Sequence, residues 1–241
     1  MHKFYPLKVL DKQQLTPESV SVKLAIPPAL KELFRFEPGQ FVMVEKEING
    51  ENLRRYYSVY SAKDEPTLNL GIKMKETDGF ARYAMHDLQE GDILRVSVPM
   101  HDLPFELQRG ARRKFLAVTI GSGITPFYSM IQSLLKAEPQ SRMVLVYGNH
   151  NPQKTMFYDE LKNLEKQYPR NLKIYWVFSQ SDEGDFQGRI SPAVLQKVLE
   201  EEGLDFDAVY IIGPDDLKKQ TARSLENAGM EPQKMHYRVY S

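Results

Sequence analysis

Three short segments of this chain carry residue types suited to holding a phosphorylated, flat-ringed ligand. In Arg54-Arg55-Tyr56-Tyr57-Ser58-Val59-Tyr60-Ser61 a guanidinium stands beside aromatic rings and hydroxyls. Arginine pairs bidentately with phosphate, and tyrosine offers a stacking face and a hydroxyl. On a strand alternate side chains share a face. Arg55, Tyr57 and Val59 then point one way, and Tyr56, Ser58 and Tyr60 the other. An aromatic-rich strand with a solvated arginine shows the same pattern, and spacing alone leaves the two readings even. The second segment, Gly79-Phe80-Ala81-Arg82, opens a helical stretch that closes at Gly91-Asp92. Backbone N–H groups and the helix dipole at such a start favour an anion, although an ordinary helix start reads the same. The third segment, Thr119-Ile120-Gly121-Ser122-Gly123-Ile124-Thr125-Pro126, leaves an apolar run and opens a helix. Glycines there let the backbone approach a phosphate, and Pro126 suits the first helical turn.

The elements that must position these segments fall into two rhythms. In the first half, Tyr5–Leu10, Val20–Ile26, Phe41–Glu45, Tyr56–Tyr60, Leu68–Met74 and Leu94–Val98 read as short strands. Turn residues separate them at the intervals of an antiparallel barrel or sandwich. Pro38-Gly39 fits the centre of a type II turn, where glycine supplies positive φ. Ala81, Ala84, Met85 and Leu88 sit at helical spacing. In the second half, Phe115–Ile120, Met143–Tyr147, Ile174–Phe178 and Val209–Ile212 are nearly continuous apolar runs, as expected of strands buried on both faces. Amphipathic helices over Tyr128–Lys136, Tyr158–Gln167, Pro192–Glu200 and Leu217–Ala228 alternate with them, and Met235–Tyr240 ends the chain as a strand. Such alternation means a parallel sheet with crossover helices. The charged segment Gln108–Lys114 is the join, giving domains at 1–110 and 111–241.

Composition narrows the classes of function. The 241 residues carry 32 basic and 32 acidic side chains, a balance that argues against a nucleic-acid or membrane-surface protein. The chain has no cysteine, which excludes disulfides, Cys-ligated iron–sulfur clusters, Cys zinc sites and a cysteine nucleophile. No metal site is expected. The start, Met1-His2-Lys3-Phe4-Tyr5-Pro6, lacks the apolar run of a signal peptide, and no stretch approaches the roughly 18 apolar residues of a membrane span. A soluble cytoplasmic protein is the expectation.

Arg55-x-Tyr57-Ser58-x-x-Ser61 resembles the flavin-binding signature of the ferredoxin–NADP reductase superfamily, and Phe36-Glu37-Pro38-Gly39-Gln40-Phe41 resembles its Pro-Gly-Gln turn. The resemblance implies an antiparallel β-barrel flavin domain followed by an α/β nucleotide-binding domain. It implies that Arg55 contacts the flavin diphosphate, that Tyr57 lies against the isoalloxazine ring and ribityl chain, and that Ser58 hydrogen-bonds near flavin N5. Tyr56 is counted with them as cofactor-binding. Gly79, Phe80, Ala81 and Arg82 occupy the phosphate-binding Gly-x-x-Ser/Thr, with Arg82 in place of the Ser/Thr. Gly121-x-Gly123-x-x-Pro126 is similar to the nicotinamide-nucleotide loop, which puts Thr125 close to the nicotinamide. Gly213-Pro214 stands where the family reads Cys-Gly-Pro, with Ile212 in place of the cysteine. His101 replaces a family glycine after Pro99. Tyr240 is the candidate for a terminal aromatic over the flavin, with Tyr237 as its alternative.

The resemblance implies FAD, with FMN the lesser choice, and NADH or NADPH as co-substrate. Acidic Ser179-Gln180-Ser181-Asp182-Glu183, after the third parallel run, suits a free ribose better than a 2′-phosphate, although Lys154 or Arg189 would serve NADP. The implied reaction carries hydride from nicotinamide C4 to flavin N5 in a cleft between the domains, with Tyr57, Ser58 and Thr125 as catalytic positions. With no cysteine to hold a cluster, electrons leave to a separate acceptor such as a ferredoxin, a flavodoxin or an oxygenase component. The alternatives are a non-catalytic flavin- or nucleotide-binding regulator and an electron-transfer subunit of a larger complex.

Overall fold

The first sheet starts from a long hairpin, β1 (Phe4–Thr16) and β2 (Ser19–Ala25), in a computed structural model that describes residues 3–48, 50–74 and 79–239. β3 (Phe41–Ile48), β4 (Glu51–Ser58), β5 (Thr67–Lys73) and β6 (Ile93–Ser97) complete six strands in the order β4-β3-β6-β1-β2-β5. Its pairings are antiparallel. The two edges meet beyond Ser58: Val59 bridges Leu70, and the Tyr60 N–H donates to the Asn69 carbonyl at 2.9 Å. This closure removes the free edges and makes the sheet a barrel. Its interior holds Leu7, Val22, Val44, Leu70 and Val96, and α1 (Gly79–His86) adds Phe80, Ala81 and Ala84. The Pro38-Gly39 turn is present. The Gln40 N–H donates to the Glu37 carbonyl at 3.1 Å, and Gly39 has φ +88°.

Two strands run longer than their apolar patterns. β1 continues to Thr16 because the register shifts between Val9 and Asp11, which turns Leu10 outward and breaks the alternation. β4 begins at Glu51, paired with Ile48, so its first residues are the charged half of a hairpin. It ends at Ser58, before Tyr60.

The second sheet has the order β10-β9-β8-β7-β11-β12, all parallel. Its strands are β7 (Lys114–Ile120), β8 (Arg142–Asn149), β9 (Leu172–Phe178), β10 (Phe186–Gln187), β11 (Ala208–Gly213) and β12 (Met235–Val239). α2 (Ile124–Ala137), α3 (Tyr158–Gln167), α4 (Pro192–Glu202) and α5 (Asp215–Asn227) connect them. α4 starts on Ser191, whose hydroxyl accepts the Val194 N–H, with Pro192 in the first turn. α4 and α5 cover one face through Val194, Leu195, Val198, Leu217 and Leu225. On the opposite face of β9, Trp176 meets Tyr147 at 5.9 Å, Phe178 at 6.1 Å and Tyr158 of α3 edge-on at 4.7 Å between centroids. The chain runs outward from β7 to β8 and returns to β11 on the other side of β7. A parallel sheet binds ligands at the carboxyl ends of its strands beside such a reversal.

Contacts divide the chain into Met1–Glu106 with Thr125–Ser133, and Leu107–Ile124 with Leu134–Ser241. Among the described residues no helix is long and apolar enough to cross a membrane, and no group of three or more His, Cys, Asp or Glu is placed to hold a metal.

Candidate functional site

In the first unit the candidate residues converge on β4 and the start of α1. Arg55 and Tyr57 share the barrel-side face of β4 with Leu53, and Tyr57 packs partly buried against the core. Its ring lies 5.6 Å from that of Phe80. The Arg55 guanidinium donates to the Arg54 carbonyl at 2.9 Å in a solvent-exposed hydrogen bond. A Cβ on Gly79 would come within 3.2 Å of Leu53 Cδ1, so the start of α1 approaches β4 as closely as a glycine lets it. A guanidinium, a phenol and the N–H groups of a helix start form a donor set that suits a diphosphate. Phe80 and Ala81 are fully buried in the barrel, and Arg82 is exposed. Tyr56 points to the other face, 61% exposed, with its ring 5.6 Å from Phe41. Ser58 is buried at the end of β4.

Beyond Ser58 the chain is fastened to the middle turns of α2, which cluster with this unit. The Ser129 hydroxyl donates to the Ser61 carbonyl at 2.5 Å, and the Gln132 amide to the Tyr60 carbonyl at 3.1 Å. Ser133 Oγ accepts the Lys63 N–H at 2.9 Å. Thr125, buried, opens this same stretch of helix. Tyr60 departs from a simple strand position, since its hydroxyl reaches Ser21 Oγ at 2.6 Å.

In the second unit the candidates gather at the carboxyl ends of β7 and β11. Gly121-Ser122-Gly123 makes a tight 3₁₀ turn with Gly121 at φ +53°, and the Ile124 N–H donates back to the Gly121 carbonyl. The left-handed region at Gly121 is one that other residues enter only with strain. The Thr119 hydroxyl donates to the Ile212 carbonyl at 2.7 Å and ties the two strand ends together. Gly213 is buried, and a Cβ there would stand 2.8 Å from Leu217 Cδ2. Pro214 follows, exposed, and caps α5, whose first turn carries Asp215 and Asp216. Tyr240 lies outside the described residues.

Tyr147 ends the apolar run Met143–Tyr147 and is not among the site candidates named from the sequence. It is fully buried, and burial pushes its phenol far above the ordinary tyrosine range, opposed by the Asn149 amide and the Met156 backbone. The hydroxyl therefore keeps its proton, and it donates to the Gly121 carbonyl at 2.9 Å. At the next strand end His150 Nδ1 and Ser179 Oγ lie 3.1 Å apart.

Comparison with known proteins supports both halves. Residues 6–105 match the oxidoreductase FAD-binding domain, and residues 118–223 match the oxidoreductase NAD-binding domain. One component of the 1,2-phenylacetyl-CoA epoxidase of Escherichia coli K12 is 32% identical over 241 residues, covering 98% of this chain and 67% of that protein. The chain belongs to the ferredoxin–NADP reductase superfamily. This reductase binds FAD and a nicotinamide nucleotide, and is an NAD(P)H-dependent flavoprotein oxidoreductase. Flavohemoprotein B of Dictyostelium discoideum is 27% identical over 231 residues, covering 87% of the reductase and 53% of that longer protein. Among solved structures, the flavohem-like FAD/NAD-binding domain of a Vibrio cholerae nitric oxide dioxygenase superposes with a TM-score of 0.84 at 22% identity, covering 100% of this chain and 99% of that one. A Neisseria gonorrhoeae ferredoxin–NADP⁺ reductase with bound FAD and NADP superposes at 0.80, with 20% identity and 99% of both chains covered. These two likenesses concern the fold.

Proposed function

We propose that this reductase takes reducing equivalents from NADH and delivers them to a separate electron acceptor, such as a ferredoxin, a flavodoxin or the oxygenase component of a multi-component system. The observation that carries the reading is the order of the two matched domains, FAD-binding at 6–105 and NAD-binding at 118–223, on a chain without cysteine. No cysteine means no thiolate-held cluster within these 241 residues. The epoxidase relative, and the ferredoxin reductase of carbazole 1,9a-dioxygenase as a structural neighbour at TM-score 0.79, support an oxygenase-type acceptor.

FAD, when bound, supplies the redox chemistry that links the nicotinamide to the acceptor. The chain supplies positioning. Arg55 and the first N–H groups of α1, at Gly79, Phe80 and Ala81, hold the diphosphate, with Arg82 as an added cation. Tyr57 and Ser58 orient the flavin ring system, with Tyr56 at its outer side. Gly121, Gly123 and Thr125, with Gly213 and Pro214, receive the nicotinamide nucleotide. Asp182 and Glu183, both exposed after β9, favour a free ribose and hence NADH. The flavin domain spans 1–110 and the nucleotide domain 111–241.

The test is the visible spectrum of FAD-saturated protein, recorded anaerobically before and after NADH and, separately, NADPH. Rapid bleaching by NADH supports the reading. A bound flavin that stays oxidised with both nucleotides overturns it in favour of a flavin-binding regulator or an electron-transfer subunit that works only within a larger complex.

A further inference from the structure

Tyr147 and Tyr175 are both buried on strands of the second sheet, and their hydroxyls do different work. Tyr175, on β9, donates to Glu201 at 2.8 Å and lies 3.1 Å from Glu202, both in the last turn of α4. Tyr147, on β8, reaches the opposite kind of partner, the backbone of the connections that leave the carboxyl edge. Its Oη lies 2.9 Å from the Gly121 carbonyl oxygen and 3.4 Å from that of Met156. Each carbonyl adjoins a left-handed residue, Gly121 itself at φ +53° and Phe157 at φ +59°. A bulky side chain in that region is strained, and it persists only where its surroundings fix it. Phe157 is 4% exposed and directly precedes α3.

The Gly121 carbonyl thus accepts from both the Ile124 N–H and the Tyr147 hydroxyl. A peptide unit is planar and trans, so its C=O and N–H point in opposite directions. Drawing the Gly121 oxygen inward to a buried phenol fixes the plane of the 121–122 peptide. The Ser122 N–H is thereby aimed away from the interior, on the side from which an anion would approach the turn.

We propose that Tyr147 is the positioning residue for the Gly121–Gly123 turn, its hydroxyl pre-setting the backbone that receives the nicotinamide nucleotide. This rests on the reading of that turn given under the proposed function. Tyr147 touches neither cofactor nor substrate; it acts through the Gly121 carbonyl.

The experiment compares wild type, Tyr147→Phe and Tyr175→Phe, each saturated with FAD, by steady-state NADH oxidation with ferricyanide, FAD titration and thermal melting. Tyr147→Phe keeps the ring against Trp176 and removes only the hydroxyl. The expected result is an NADH KM raised about three- to tenfold, the span of one net hydrogen bond, with kcat within about twofold and FAD affinity unchanged. Tyr175→Phe lowers the melting temperature and leaves the NADH KM unchanged. If Tyr147→Phe also lowers only the melting temperature, or raises the FAD dissociation constant and the NADH KM together, the positioning role is refuted. A wild type that binds FAD but does not oxidise NADH sinks the functional reading itself, a separate outcome visible before any variant is made. NAD⁺ binding to the same proteins by calorimetry supplies a readout independent of turnover, with a weaker constant expected for Tyr147→Phe alone.

Discussion

Replacing Glu138 by glutamine should destabilise the second unit, and by an amount that depends on pH in one direction only. Glu138 is the C-cap residue of α2, and its carboxylate has no solvent exposure. It accepts the Gln108 N–H at 2.6 Å, Arg113 Nε at 3.1 Å, a second and very short contact from the same guanidinium, and the Ser141 hydroxyl at 2.7 Å. Arg113 is 19% exposed in its side chain, so the pair is largely desolvated. Glutamine preserves the shape but removes the charge and turns one acceptor into a donor. Breaking such a pair from one side costs about 3–5 kcal/mol; because glutamine retains one oxygen, the lower end, about 3 kcal/mol, is expected. That corresponds to a melting shift of roughly 6–12 °C for a chain of this size. Burial by itself would raise the Glu138 pKa, but Arg113, the Gln108 N–H and Ser141 overcome it and hold the carboxyl below the ordinary glutamate value. The folded pKa is therefore depressed. The stabilisation is complete above the ordinary glutamate pKa and is lost as pH falls through the folded one. Urea unfolding of wild type and Glu138→Gln, followed by far-ultraviolet circular dichroism from neutral pH downward, measures both effects. The gap should be widest near neutrality and close in acid. Equal stabilities at neutral pH, or a gap that stays constant as the pH drops, would refute the argument.

Further outcomes concern the cofactor residues. Arg55→Ala should weaken FAD binding by roughly 10- to 100-fold, the loss of one charge-assisted contact, read by flavin fluorescence titration. Ser58→Ala should leave FAD affinity within about threefold and slow anaerobic flavin reduction by NADH roughly tenfold or more, read by stopped-flow absorbance. Gly121→Ala forces a side chain into φ +53° and should cost about 1–2 kcal/mol, with a raised NADH KM as its kinetic counterpart.

The sheet architecture was legible because each half repeats one simple periodicity over many residues. Turn chemistry was legible at Pro38-Gly39, where the one residue able to take φ +88° sits in the position that needs it. What escaped was set by distant contacts. The charged start of β4 is strand only because Ile48 pairs with Glu51. β10 is two residues long, recruited where Asp185 accepts the Trp176 N–H at 2.8 Å. The helical start at Asp215 precedes the apolar stripe read from the sequence, because an acidic first turn extends the helix beyond its buried face. Within the candidate site, Arg55, Tyr57 and the glycine turn were singled out through the family resemblance, since spacing alone left the strand segment open to a plain structural reading. Tyr147 sits inside an apolar run and meets Gly121 across 26 residues, and the left-handed Phe157 carries no mark in its residue type.

The aromatic cluster of the second sheet has a spectroscopic consequence. Trp176 is the sole tryptophan of the chain, 7% exposed and ringed by Tyr147, Tyr158 and Phe178. Emission excited at the red edge of indole absorption therefore originates wholly in the nucleotide-binding half, while the barrel is silent. Unfolding followed by that emission reports one half, and circular dichroism reports both. Coincident midpoints mean that the two melt as one cooperative body, and separated midpoints give each half its own stability without cutting the chain.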